Sequence, residues 1–136
     1  MKICVTAAGN TLDAPVDPRV GRAAYFIIVD SGTLAFEAVP NAATGAMHGA
    51  GIQAAQTIAS KGVSVLITGN VGPNAFQALA SAGIKIVVGA SGTIREVVEK
   101  YKRGELRETS ASTVGGHFGR GRGAGMGMGR GRRRQV

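Results

Sequence analysis

The chain of 136 residues contains a single cysteine, Cys4, which excludes an internal disulfide and any thiolate cluster site within one chain. Nothing in the cysteine count signals an oxidising compartment, so a cytoplasmic location is expected. No apolar run is long enough to span a bilayer. The opening "KICVTA" reads as a strand and lacks the charged region, long apolar stretch and cleavage site of a signal peptide. A soluble protein with no membrane partner is the expectation.

Chemistry-bearing side chains are also sparse. The two histidines, His48 and His117, lie at a helix start and in the C-terminal tail, so neither supplies a base to a Ser, Cys or Thr nucleophile. The segments "KICVT" and "VLIT" carry no carboxylate of the kind a metal-dependent nuclease places on its central strands. The chain reads as a non-enzyme. Acidic residues are missing from one end altogether: residues 1–108 hold ten of the 16 Lys and Arg and all eight Asp and Glu, whereas 109–136 hold six basic residues and none of opposite sign. The excess positive charge is a tail property and points to an anionic partner.

What is present is one domain's length of alternating β and α pattern. "VSVLITGNVGPNAFQALASAG" and "IKIVVGASGTIREVVEKYKRG" each give a β-rich apolar run, a glycine loop, a helical pattern and a closing glycine. In the first, Pro73 opens a helix whose Phe76, Leu79 and Ala80 share a face, and Gly83 closes it. In the second, Thr93 and Glu96 have capping-box spacing, and Ile94, Val97, Val98 and Tyr101 fall on one stripe. Upstream, strands are predicted at Ile3–Thr6, Tyr25–Asp30 and Leu34–Val39, with "DSGT" as a hairpin turn between the last two. A helix over Gly49–Ser60 is expected to bury Ile52, Ala55, Ile58 and Ala59 and to lead into a parallel strand at Val63–Thr68. Short, continuously apolar strands imply a sheet covered on both faces, hence a three-layer α/β domain.

Such sheets bind ligands outside the carboxyl ends of their parallel strands. Three loops converge there. "AAGNTLDAPVDPRVGRA" carries Asn10, Arg19, Gly21 and Arg22; either a ligand or a nearby acid, Asp17 or Asp13, is expected to take the arginines. "GNVGPN" carries Gly69, Asn70 and Gly72: the glycines can simply shape the turn, but Asn70, just past a central strand, can donate to a ligand. The third is "GASGT". The helix start "HGAGIQAAQ" adds His48, Gly49 and Gly51, where free backbone N–H groups suit an anion. Its Gly49, Gly51 and Ala54 match G-x-G-x-x-A, yet no strand leads directly into it and the next strand ends in Thr68 instead of an acid, so a dinucleotide site is not expected. Met47 and His48 pair a thioether with an imidazole that together can touch a soft metal.

From about Arg107 the composition changes. "TVGGHFGRGRGAGMGMGRGRRRQV" alternates glycine with other residues and carries only positive charge, so residues 108–136 are expected to stay disordered alone. Its His117, Met126 and Met128 are further candidates for metal capture. With Phe118 its sole aromatic, it offers at most a weak, non-specific nucleic-acid contact, the alternative reading of the chain.

"DPRVGRAAYFIIVD", "HGAGIQAAQTIASKGVSVLITGNVGPNAFQALASAGIKIVVG" and the Gly/Met/Arg tail together resemble the dinitrogenase iron-molybdenum cofactor biosynthesis family over nearly all of residues 1–107, most specifically at "GAGIQAAQ" and "GNVGPNAF". The resemblance implies a ribonuclease H-like three-layer fold with a five-stranded mixed sheet of order 3-2-1-4-5, strand 2 antiparallel. It also implies transient, non-covalent binding of an anionic Mo- or Fe-containing sulfur cluster, with a cluster donor or acceptor protein as partner.

Overall fold

The computed structural model describes residues 1–45 and 49–113. Five strands, β1 (Lys2–Ala7), β2 (Tyr25–Asp30), β3 (Phe36–Pro40), β4 (Val65–Ile67) and β5 (Lys85–Val87), and three helices, α1 (Ala50–Ser60), α2 (Pro73–Ser81) and α3 (Ile94–Lys102), follow in the order β-β-β-α-β-α-β-α. The sheet order is β3-β2-β1-β4-β5. β1, β4 and β5 run parallel, and β2 is antiparallel to both of its neighbours, as the sequence led us to expect.

The pleat sorts the core into two halves. Cys4 of β1 lies opposite Ile28 of β2 and Leu66 of β4, and all three pack beneath α1 and α2 with Phe26, Ile58 and Leu79. Their neighbours Ile3, Val5, Ile27, Val29, Val65 and Ile67 point the other way, onto Ile94, Val97 and Val98 of α3. Both faces are thereby covered, which is why the strands read as continuous apolar runs. Burial pushes the Cys4 thiol well above its ordinary pKa, so it is a core side chain.

Local signals are met where the chemistry is short-range. Thr93 accepts from the Glu96 N–H at 3.1 Å while the Glu96 carboxylate accepts from the Thr93 N–H at 2.9 Å, closing the capping box of α3. In the β2–β3 turn Asp30 Oδ1 accepts from the N–H groups of Gly32 and Thr33 at 2.8 and 3.1 Å. Leu34 adopts a left-handed φ of 64°, so it belongs to that turn, and β3 starts at Phe36 instead of Leu34. β4 is also shorter than expected, Val65–Ile67, because its neighbour β5 pairs with it over three residues.

Ile52 departs from expectation: it is 39% exposed. The buried stripe of α1 is Ala50, Ala54, Ala55 and Ile58, so small residues bring this helix close and turn Ile52 toward the carboxyl edge. Ala80 is likewise exposed, and Ala75 takes its place beside Leu79 in the buried face of α2. No helix among the described residues is long and apolar enough to cross a membrane.

Candidate functional site

The β1–β2 loop is clamped onto the ends of the two central parallel strands. Thr6, near the end of β1, donates its hydroxyl to the Asp17 carbonyl at 2.6 Å and lies 2.8 Å from the hydroxyl of Thr68, just past β4. The Asp17 N–H returns a bond to the Thr6 carbonyl at 2.9 Å, and the Asn70 N–H donates to the Pro18 carbonyl at 2.8 Å. Both threonines are fully buried, so their hydroxyls satisfy each other and the loop backbone away from water. Gly69 serves the same contact: a Cβ there would come within 2.6 Å of Pro18 Cβ, which leaves room only for glycine.

Arg19 follows directly on this clamp. The buried Asp17 carboxylate accepts from the Arg19 backbone N–H at 2.9 Å, from Nε at 3.2 Å and from Nη2 at 3.3 Å. The bond and charge of Asp17 raise the guanidinium pKa further, so Arg19 is a fixed positive charge. Arg22 donates to the Thr44 carbonyl at 2.7 Å. The intervening backbone is held by Asn41, a buried residue whose side-chain amide donates to the carbonyls of Gly21 and Ala23 at 3.1 and 2.9 Å while its oxygen accepts from Ala43 N–H at 3.0 Å. The sequence reading missed Asn41; an Asn immediately after the last residue of a strand was the available signal.

These pieces enclose a cleft of about 450 Å³ at the carboxyl edge. Arg19, Gly21 and Arg22 form one wall, Gly49 and Gly51 of the α1 start a second, and Asn70, Gly72 and Asn74 a third. Neither helix has a side-chain cap bond at its start. The first N–H groups of a helix have no intrahelical partner, so α1 and α2 both present donors and positive dipole ends to the same space. Gly49, the N-cap of α1, has a φ of 73°, a conformation that suits glycine. A Cβ on Gly21 would approach the Gly51 nitrogen to 2.9 Å, so the arginine loop and the α1 start are in direct backbone contact.

Of the candidates read from sequence, Arg19, Gly21, Arg22, Gly49, Gly51, Asn70 and Gly72 meet at this cleft. Asn10 is exposed and does not line it; Gly69 lies behind it, against Pro18. Ile52, expected in the core, is part of its rim. Met47 and His48, and with them His117, Met126 and Met128, lie outside the described residues. Among the described residues no three His, Cys, Asp or Glu side chains gather to hold a metal ion. The arrangement is one of hydrogen-bond donors and guanidinium charge, fitted to an anion.

The expected boundary at residue 108 falls inside a docked segment. Glu108 bridges to Val87 in β5, the Thr109 N–H donates to the Ile86 carbonyl at 2.7 Å, and the Thr113 N–H donates to the Val71 carbonyl at 2.8 Å. The chain thus extends along the β5 edge and returns to the β4–α2 loop.

A three-layer α/β domain with donor-rich loops at the carboxyl ends of its parallel strands belongs to the broad class of α/β proteins that take a ligand at the sheet edge. Within that class, residues 1–104 match the model of the dinitrogenase iron-molybdenum cofactor family, and the chain belongs to this family. Its structure is similar to that of the apo form of the orange protein from Desulfovibrio gigas, with 47% identity and a TM-score of 0.81 over 83% of this chain and 96% of that one. It is also similar to a protein of the DUF35 family from Thermotoga, at 37% identity and a TM-score of 0.73 over 83% and 97% of the two chains. An uncharacterized protein of Methanocaldococcus jannaschii is 32% identical over 111 residues, 79% of this chain and 91% of that one. The nucleic-acid alternative has support neither in the family nor in these relatives, and the tail it invokes lies outside the described residues.

Proposed function

We propose that the chain binds an anionic Mo- or Fe-containing sulfur cluster in the carboxyl-edge cleft and carries it, without chemistry of its own, toward cofactor assembly or delivery. The observation that carries this reading is the convergence of two uncapped helix starts, Arg19, Arg22 and Asn70 on one cleft. Family membership gives the guest its class. Backbone N–H groups at Gly49–Gly51 and at Gly72, with the side-chain amide of Asn70, supply hydrogen bonds to sulfur or oxo edges, and the arginines supply the counter-charge. A site without a thiolate set holds such a cargo by charge and hydrogen bonding, which suits transfer to a partner protein. The ribonuclease H-like classification of the fold is equally our reading, supported by the strand order and the reversed β2.

Anaerobic reconstitution with Mo- and Fe-containing sulfur clusters, followed by gel filtration and metal analysis, tests the reading. Metal is expected to co-elute with the protein. Metal eluting wholly apart from it overturns the proposal.

A further inference from the structure

The β4–α2 loop is held from three sides. The Gly69 carbonyl accepts from the Gly89 N–H at 2.8 Å, and the Asn70 N–H donates to the Pro18 carbonyl at 2.8 Å. Those two bonds stop at residue 70. Beyond it, both backbone polar groups of Val71 are bound to one residue from outside the sheet: the carbonyl accepts from the Thr113 N–H at 2.8 Å, and the N–H donates to Thr113 Oγ1 at 2.8 Å. The Thr113 hydroxyl also lies 3.3 Å from the Val71 carbonyl, to which it can donate in return. Glu108, bridged to Val87, and the Thr109 N–H, bound to the Ile86 carbonyl, bring the segment to this point along β5.

The Thr113 contact has a directional effect. No cis peptide bond occurs among the described residues, and in a planar trans peptide the C=O and the N–H point opposite ways. The unit joining Val71 to Gly72 turns its carbonyl to Thr113, so it turns the Gly72 N–H away from Thr113. Gly72 lines the cleft and Thr113 does not. Val71 is 1% exposed, so water has little access to replace Thr113 as its partner. Asn70, the residue before it, forms an isolated parallel bridge with Arg19, so a displacement of Val71 is passed to the arginine loop as well.

We propose that Thr113 is a positioning residue of the cleft: by taking both backbone groups of Val71 it aims the Gly72 N–H at the anionic guest and holds Asn70 beside Arg19. The inference rests on the cargo reading above for its guest and adds the strap Glu108–Thr113 to the parts that shape the seat. Docking of the strap and binding of the guest are then coupled, and such coupling is reciprocal.

The test uses the full chain and tetrathiomolybdate as the probe anion. Thr113→Val keeps the side-chain shape and the backbone bond to Val71 but removes the hydroxyl that accepts from the Val71 N–H. Its affinity, measured well below the unfolding midpoint, is expected to fall by roughly fivefold or more, about the worth of one hydrogen bond. Thr113→Ser, which restores the hydroxyl, is expected to bind nearly as the parent does. In the parent, the probe should shift the Gly72 amide proton signal, and the shift should shrink in Thr113→Val. Equal affinity of Thr113→Val and the parent, even with a lowered unfolding midpoint, overturns the inference and leaves the cargo reading standing, because Thr113 then serves only stability. Failure of Thr113→Ser to restore binding overturns it too. Absence of probe binding by the parent removes the cargo reading, and this inference with it.

A second measurement reads the coupling from the other side. The probe is expected to slow hydrogen exchange at the Thr113 amide, which lies outside the cleft and is not covered by the guest itself. Exchange at Thr113 that is indifferent to bound probe overturns the proposal.

Discussion

Asp17 grips Arg19 with both carboxylate oxygens, yet the acid side chain is 10% exposed and the arginine side chain 62% exposed. The pair meets the expectation that a nearby acid takes the arginine, and Arg19 lines the cleft with much of its side chain exposed.

The two roles separate in a double-mutant cycle. Arg19→Ala leaves the Asp17 carboxylate without its cation and is expected to lower stability only modestly, because the guanidinium side is screened by solvent. Adding Asp17→Asn should restore part of that loss in urea melts without restoring anion binding. Recovery of binding in the double variant would show that Arg19 serves the loop and not the guest.

Gly21→Ala is expected to push the arginine loop off the start of α1, since the added carbon would meet the Gly51 nitrogen at 2.9 Å and the Ala50 carbonyl carbon at 3.1 Å. Overpacking of this kind costs about 1–3 kcal/mol. Both the unfolding midpoint and the affinity for an anionic probe should drop. An unchanged affinity would show that contact between these backbones does not shape the cleft.

Asp30 makes a distinct contribution to acid stability. Bonds from the Gly32 and Thr33 N–H groups hold its pKa below the ordinary value of 3.8. A depressed folded-state pKa stabilises the fold above the unfolded value, and the stabilisation is lost as pH falls through the lowered one. Asp30→Asn should therefore lower stability at neutral pH and flatten its decline below about pH 4. Parallel acid titrations of the two proteins by circular dichroism check the sign.

Cys4 should resist thiol reagents in the folded protein, because burial disfavours the thiolate that reacts. Labelling is expected to follow unfolding, rising together with denaturant-induced loss of structure. Rapid labelling under native conditions would mean that the sheet beneath α1 and α2 opens locally.

The sequence made legible whatever depends on neighbours along the chain. β2 spans Tyr25–Asp30 as its apolar run indicated, and Thr93 with Glu96 closes the predicted capping box. Spacing alone did not settle the rotational phase of α1, where alanines and not Ile52 face the core. The loops of the site were identified because parallel strands aim their carboxyl ends one way. The contacts that shape them were not, since Thr6 with Thr68 and Asn41 with Gly21 are 62 and 20 residues apart. Nothing local announces such pairs.

The threonine pair has a mechanical consequence. Because Thr6 and Thr68 tie the arginine loop to the ends of the two innermost parallel strands, the loop can shift only by breaking buried hydrogen bonds. Under the cargo reading proposed above, an incoming ion would meet a seat already held in place and spend little entropy on ordering it, so contact with another protein would be the natural route to discharge.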